Sequence, residues 1–426
     1  MPIFNFKDFT ATTHISRCSK NAHDVSKGTL KGSKKVWFCK EVGSLDSAIL
    51  EVIAQEFFRL VIPYQPETRL AFDESTGIYY ILSEEVKNFN FSESNFRKQV
   101  KIGLGQTLLV ALFLEEDDLK FNNIGLDYLN RVIKIDGGLC FSGKEQRQYN
   151  LSAAAIDQLP FPVDSQPNHW LDIVKSGKRH AGSFIVSPNL SSSLEFRNDV
   201  NLAMLKICLI PDCFIFSFVD FLTDGHSIKE KFIQKLISRR DELTRVALEN
   251  SSFIVYLNTE IAKQEALKFL DQMISFKSGR THLFTDFEQK DHITYEFKIK
   301  NRSIFSSYAI KTIAEIRIIL LNNNTERALD NFHNMIKILE ELMPLCDDYE
   351  KINMQLKSLL ESLLAKQQKL HDSKESPSST NANDIVKEEI CELHQTPNSA
   401  FTPSFWQSGV PENNKNSNYS VENQLT

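Results

Sequence analysis

The sequence predicts an α+β fold, with a β-rich start holding one embedded helix, a mainly helical remainder and a polar tail. Three observations carry this. Up to Glu84, short β-branched and aromatic runs alternate with turn residues. From Phe96 onward, apolar residues recur at helical spacings of three and four. Beyond Asp372 the chain becomes rich in Ser, Asn, Pro and Glu and loses its periodicity, the mark of a segment too polar to bury a core. Boundaries fall accordingly at 1–95, 96–250, 251–372 and 373–426.

Residues 15–42 read as strand, loop, strand, with a loop rich in Lys and Gly and a second strand around Val36-Trp37-Phe38-Cys39-Lys40. A helix over 46–61 follows, with Ser44 or Asp46 as N-cap and Pro63 just past its end. Arg69–Phe72 and Ile78–Glu84 read as strands around a Ser75-Thr76-Gly77 turn. A helix spans Phe96–Glu115. A hairpin then turns at Asp127–Asn130 and returns along Val132–Ile135. Turn-rich segments follow at Leu159–Pro162 and Pro167–Leu171, then helices to about residue 250.

The most apolar run, Leu202–Leu222, contains Lys206, Pro211, Asp212 and Asp220, and so reads as buried helix and not as a bilayer span. Residues 251–300 read as mixed, with an alternating strand at Ile293–Ile299. Three helices follow, at Tyr308–Leu321, Thr325–Met343 and Tyr349–Leu370, the last with an apolar stripe of Ile352, Leu356, Leu359 and Leu363. Short connections between them imply antiparallel packing. Ser373–Thr426 reads as disordered.

The bulk properties narrow the function classes. With 42% hydrophobic and 24% charged residues the chain is ordinary for a globular protein. A net charge of −6 argues against wholesale nucleic-acid binding. The seven cysteines are odd in number and scattered, with no C-x-x-C, which argues for a reducing compartment and against a zinc site or disulfide frame. Met1–Thr13 carries no apolar core of the kind a signal peptide needs.

The chemistry concentrates in Asp118-Leu119-Lys120-Phe121-Asn122-Asn123 and in Asp136-Gly137-Gly138. Phosphoryl transfer needs an Asp that orients the attacking hydroxyl, an Asn a few residues on that holds metal, and a second Asp facing the phosphates. Asp118 and Asn123 have the D-x-x-x-x-N spacing, and the intervening hairpin returns Asp136 beside Asn123. The segment resembles the catalytic core of the protein-kinase superfamily in an atypical form. Glu116-Asp117-Asp118 stands for the usual His-Arg-Asp, and Asp136-Gly137-Gly138 for Asp-Phe-Gly. In texture it is similar to HipA-like and phosphoinositide-kinase-like enzymes, and to effector kinases secreted by Legionella-type intracellular bacteria, over roughly residues 15–250.

The resemblance implies a bilobal kinase-like fold, with a small lobe in 1–95 and a large lobe in 96–250, an ATP cofactor, and Mg²⁺ or Mn²⁺ held by Asn123 and Asp136. Asp118 would orient the substrate hydroxyl, Lys120 would neutralise the transferring phosphoryl, and Lys40 would contact the phosphates. Ser83, Glu84 and Glu85 fall where backbone groups would meet adenine. Lys40 should pair with an acid on the following helix. Glu56 lies amid the apolar face of Val52, Ile53, Phe57 and Leu60, where a charge needs a partner, whereas the order of residues before Ile62-Pro63 favours Glu51. Both stay open at this point.

One departure stands out. Residues 16–40 hold Arg17, Lys20, Lys27, Lys31, Lys34, Lys35 and Lys40 against the single acid Asp24, with glycine only at 28 and 32, so no glycine-rich phosphate loop is present. This predicts either a basic loop that helps hold ATP or a polyanion site for an inositol polyphosphate or phosphoinositide headgroup. Lys175, Lys178, Arg179 and His180 could share that role. Asp220, Asp224 and His226, and likewise His14 and His23, match no strong motif.

The expectation is thus an atypical Ser/Thr protein kinase. The rivals are phosphoinositide phosphorylation or AMP transfer on the same fold, and a pseudokinase or adaptor. Lysines 337, 351, 357, 366 and 369 in the C-terminal helices would favour an anionic phosphoinositide membrane. The Glu- and Ser-rich tail resembles type IV translocation signals, which implies a bacterial protein delivered into a eukaryotic host.

Overall fold

The computed structural model describes residues 3–15, 25–90, 102–116, 119, 123–141, 151–160, 188–223 and 226–321, with Met354, Ser358, Glu361 and Ala365 as isolated helical positions. The fold is mixed α and β: a curled six-stranded sheet, then helices. Strands β1 (Phe4–Asn5), β2 (Phe9–Ile15), β3 (Val25–Leu30), β4 (Val36–Val42), β5 (Thr68–Asp73) and β6 (Ile78–Glu84) lie in the order β1-β5-β6-β4-β3-β2. β1 pairs in parallel with β5, and every other pairing in this sheet is antiparallel.

The expected loop within 15–42 is corrected here. Val25-Ser26-Lys27-Gly28-Thr29-Leu30 is a full strand between β2 and β4. Its Val and Thr favour extended backbone, and Leu30 joins Phe9, Trp37, Cys39, Ala71 and Leu82 in a small apolar cluster on one face of the sheet. Lys40, two residues on from Phe38, points to the other face, towards α1.

Helix α1 (Leu45–Val61) begins where Ser44 accepts the Ser47 N–H and ends one residue before Ile62-Pro63. Reading it as a helix with one apolar face was too narrow. Glu51, Gln55 and Glu56 are buried along with its aliphatic residues, because α1 lies between the sheet and later helices. The β5–β6 turn closes as expected, with Gly77 in the left-handed region at φ 71°.

Helix α2 spans Leu104–Phe113, shorter than the expected Phe96–Glu115. Gly103 precedes it with φ 85°, and Ile102 bridges to Arg131, so the chain is not helical there; 91–101 lie outside the described residues. The hairpin β7 (Ile124–Leu126) and β8 (Val132–Lys134) forms as expected, turning where Asp127 Oδ1 accepts the Leu129 and Arg131 N–H groups. After α3 (Ala153–Asp157), the apolar run at 202–222 is two helices and not one. These are α4 (Leu194–Cys208) and α5 (Asp212–Thr223), bent by 88° at a break containing Pro211. Both bury one face in the main core, and no single helix among the described residues is long and apolar enough to cross a membrane.

Helices α6 (Lys229–Glu249), α7 (Ser251–Leu257) and α8 (Glu260–Ile274) lead to a small hairpin, β9 (Lys277–Ser278) and β10 (Thr281–His282), and then to α9 (Phe287–Leu321). The expected strand at Ile293–Ile299 is therefore helix. Ile293 and Phe297 are buried four residues apart, while Tyr295 and Ile299 face outwards. The helix expected at Tyr308–Leu321 is the second half of α9; Thr325–Met343 lies outside the described residues, as does Tyr349–Leu370 apart from the four helical positions above. One continuous core runs from Val42 through α1 to Phe276, Phe297 and Ile304. The C-terminal end of α1 is held by this later part of the chain. Arg59 donates to Lys277 O at 2.6 Å and lies over Phe276, Gln272 donates to Leu60 O, and Lys206 donates to Val61 O at 2.9 Å.

Candidate functional site

Burial of α1 against β4 brings Glu51 under Lys40. Glu51 Oε2 is 2.7 Å from Lys40 Nζ, and the same ammonium is 3.1 Å from Asp136 Oδ1. The β7–β8 register sets the other side. Ile124 pairs with Lys134, and the Ile135 N–H donates to Asn123 O at 2.8 Å, so Asn123 and Asp136 share one end of the hairpin. A sheet cation, a helix carboxylate and a hairpin carboxylate thus meet at one point.

The loop carrying Asp136 lies close against α1, which explains Gly137-Gly138. A Cβ on Gly137 would fall 3.1 Å from Ala54 Cβ, and one on Gly138 would fall 2.8 Å from Glu51 Oε2. Asp136 itself has φ 62°. With its amide oriented to match the neighbouring donors, Gln55 accepts the N–H groups of both Asp136 and Gly137 at 2.7 Å.

The charges do not balance. With Glu51 ionised, Lys40 and Lys134 face three carboxylates, those of Glu51, Asp136 and Glu116, an excess of one negative charge. Burial and the Asp136 carboxylate push Glu51 up to about 7, against the pull of Lys40. Burial disfavours the charged Asp136 too, but Lys40 and Lys134 outweigh it and hold the group below the usual carboxylate range. Burial likewise opposes the charge on Lys40, and Glu51 and Asp136 outweigh it, so its pKa is raised. The Asp136 side chain is 42% exposed, against 7% for Glu51, so Asp136 is the carboxylate open to a ligand. A divalent cation there would offset that excess, and the Asp136 carboxylate is a hard oxygen donor suited to Mg²⁺ or Mn²⁺; Asn123, at the same end of the hairpin, is itself buried.

No protein-family model matches the chain, and no curated protein matches it.

The remaining expected residues divide clearly. Asp118 and Lys120 lie outside the described residues, though Leu119 between them is buried in the main core. Glu56 does not pair with Lys40. It is fully buried, accepts from Arg59 Nε and from the Thr68 N–H at 2.7 Å, and so finds its partner within α1 and at the start of β5. Of the residues expected to meet adenine, Ser83 and Glu84 end β6 and Glu85 follows it. β6 is flanked by strands on both sides, so Ser83 pairs with Phe38 and Thr68, and the N–H groups of Glu84 and Glu85 are taken by Glu67 O and Val36 O, each at 2.8 Å.

The polyanion reading is narrowed. Lys27 pairs with Glu85 at 2.5 Å, and Lys35 pairs with Glu84 at 2.8 Å and Glu67 at 3.3 Å. Lys31 and Lys34 are exposed; Arg17, Lys20, Lys175, Lys178, Arg179 and His180 lie outside the described residues. Asp220 pairs with Lys229. Cys213, His292 and Glu296 also converge within 4.8 Å. Glu296 there accepts the Cys213 N–H at the start of α5, and burial together with Glu296 pushes the thiol up to about 12, so the group is explained as a helix cap.

Sequence reasoning missed Gln55, Glu116 and Lys134. A signal for Lys134 was present: a lysine inside the apolar strand Val132-Ile133-Lys134-Ile135 needs a buried acid.

Glu51 supplies a pH test. If the site takes a nucleotide, its affinity should rise as pH passes through about 7, because Glu51 then ionises and completes its pair with Lys40. Stability moves the other way. A carboxyl raised from 4.5 to about 7 favours the fold fully below 4.5, and that contribution is lost as pH rises through 7. Glu51→Gln should flatten the binding profile in an equilibrium titration from pH 5.5 to 8.5; an unchanged profile would contradict the assignment.

Proposed function

We propose that this chain is an atypical ATP-dependent kinase that uses Mg²⁺ or Mn²⁺. The observation that carries the reading is the three-way contact of Lys40 with buried Glu51 and partly open Asp136, in a cluster that is one positive charge short once Glu51 ionises. Phosphoryl transfer is mostly positioning plus charge stabilisation. Lys40 would contact the nucleotide phosphates, while Asp136 and Asn123 would hold the metal, which supplies charge neutralisation at the phosphates. Asp118 would orient the acceptor hydroxyl and Lys120 would neutralise developing charge.

The bilobal kinase-like arrangement is part of the same proposal. Its support is the strand order β5-β6-β4-β3-β2 with α1 inserted between β4 and β5, followed by helices and the β7–β8 hairpin. That order resembles a kinase small lobe followed by the start of the large one, an argument from fold analogy. The acceptor is expected to be a protein Ser or Thr.

Titrating Mn²⁺ with a non-hydrolysable ATP analogue into the whole chain tests the site directly. Saturable one-to-one binding that requires both metal and nucleotide is expected. Lys40→Met should weaken it by about 10-fold or more, as expected for loss of a hydrogen-bonded charge contact of ~1.5–3 kcal/mol. Equal affinity in wild type and Lys40→Met would contradict the reading.

A further inference from the structure

We infer that Lys134, held by Glu116, is a positioning residue that clamps the backbone of Asp136 in its metal-binding conformation. This rests on the proposed kinase reading and adds a part to it.

The two side chains are both fully buried, with Lys134 Nζ 2.9 Å from Glu116 Oε2. Burying an ion pair is expensive, and apolar residues of similar volume usually fill such space at no loss of stability. What an ammonium offers that a leucine cannot is a set of directed donors. Besides Glu116, Lys134 Nζ donates to Ile135 O at 2.9 Å and to Asp136 O. Those are the two carbonyls on either side of the Asp136 Cα. From the opposite side, Gln55 accepts the N–H groups of Asp136 and Gly137 at 2.7 Å. Both peptide groups flanking the Asp136 Cα, two carbonyls and two N–H groups, are therefore held by two side chains.

The clamp has something to hold. Asp136 sits at φ 62°, a conformation unfavourable for a residue with a Cβ. Such strain persists where surrounding structure over-determines it, and it clusters at functional sites. Lys134 is in turn fixed on all sides. Its N–H donates to Gln65 Oε1, the Gln65 amide donates to Val132 O, the ammonium lies 5.6 Å from the centre of the Phe58 ring, and Cys140 Sγ donates to Glu116 Oε2 at 3.1 Å. The network runs from the end of α2, through β8, to the carboxylate that faces solvent. It fixes the hairpin end that carries the proposed metal ligand.

The test uses the full chain and Mn²⁺ as the probe, with free Mn²⁺ read by electron paramagnetic resonance in the presence of ATP. The double variant Lys134→Met/Glu116→Gln removes both charges together and leaves none stranded. Its Mn²⁺ affinity is expected to fall about 10–100-fold, the usual effect of losing a partner behind a metal ligand. Its far-ultraviolet circular dichroism should be native, and its turnover at saturating Mn²⁺ should recover towards wild type. Gln55→Met, which releases the two N–H groups without disturbing a charge, should show the same split between metal affinity and saturated rate. Wild-type Mn²⁺ affinity in either folded variant would overturn the clamp while leaving the kinase reading standing. Failure of the wild-type protein to bind Mn²⁺ with ATP would overturn both.

Discussion

Asp136→Ala is expected to cut metal-dependent ATP turnover by roughly 10³-fold or more while the chain stays folded. The magnitude follows from losing several kcal/mol of charge stabilisation at the phosphates, with each ~1.4 kcal/mol worth tenfold in rate. The fold should survive for a local reason. Asp136 is partly open, and its removal takes a repelling charge away from Glu51 and leaves the Lys40–Glu51 pair intact. An alanine at the same left-handed φ costs only about 1–2 kcal/mol. Initial rates with γ-labelled ATP, alongside a thermal melt, check both halves. Undiminished turnover would remove Asp136 from the metal site.

Glu56→Ala should do the reverse and damage the fold. Glu56 is fully buried and is the carboxylate that neutralises Arg59, which also donates to Lys277 O and covers Phe276. Removing one partner of a buried pair strands the other charge and costs about 3–5 kcal/mol. It also frees the Thr68 N–H at the start of β5. Denaturant unfolding should show that loss, and a change below about 1 kcal/mol would contradict the assignment. Glu51→Gln should affect nucleotide binding far more than stability. The two glutamates of α1, five residues apart, would then separate by measurement into one for the site and one for the scaffold.

That separation shows what was legible in the residues. The hairpin between Asn123 and Asp136 could be read because its turn and β-branched runs are local signals, and the Ile135 N–H to Asn123 O bond closes it as expected. The choice between Glu51 and Glu56 could not, since it depends on which neighbours surround α1. The rule that a buried charge needs a partner held for Glu56, but the partner was Arg59, one turn away. The strand expected at Ile293–Ile299 failed because Thr-Tyr-Glu-Phe-Lys-Ile alternates as well as it repeats every four residues. Packing of Ile293 and Phe297 into the main core decided for helix. The clamp around Asp136 was illegible for a different reason. Gln55, Glu116 and Lys134 come from three distant segments, and only the fold brings them together. That the Glu84 and Glu85 N–H groups are already taken could not be read either, because it depends on β6 lying between β5 and β4.

The central claim is phosphoryl transfer from ATP, and paired labelling tests it most directly. The 426-residue chain is incubated with Mg²⁺ or Mn²⁺, with and without inositol hexakisphosphate, and with ATP labelled at either the γ- or the α-phosphate, in the presence of a eukaryotic cell lysate as acceptor. The account predicts protein-bound label from the γ-position alone, lost in Asp136→Ala. Label from the α-position would instead mean transfer of AMP, and label from neither, under every condition, would contradict a kinase.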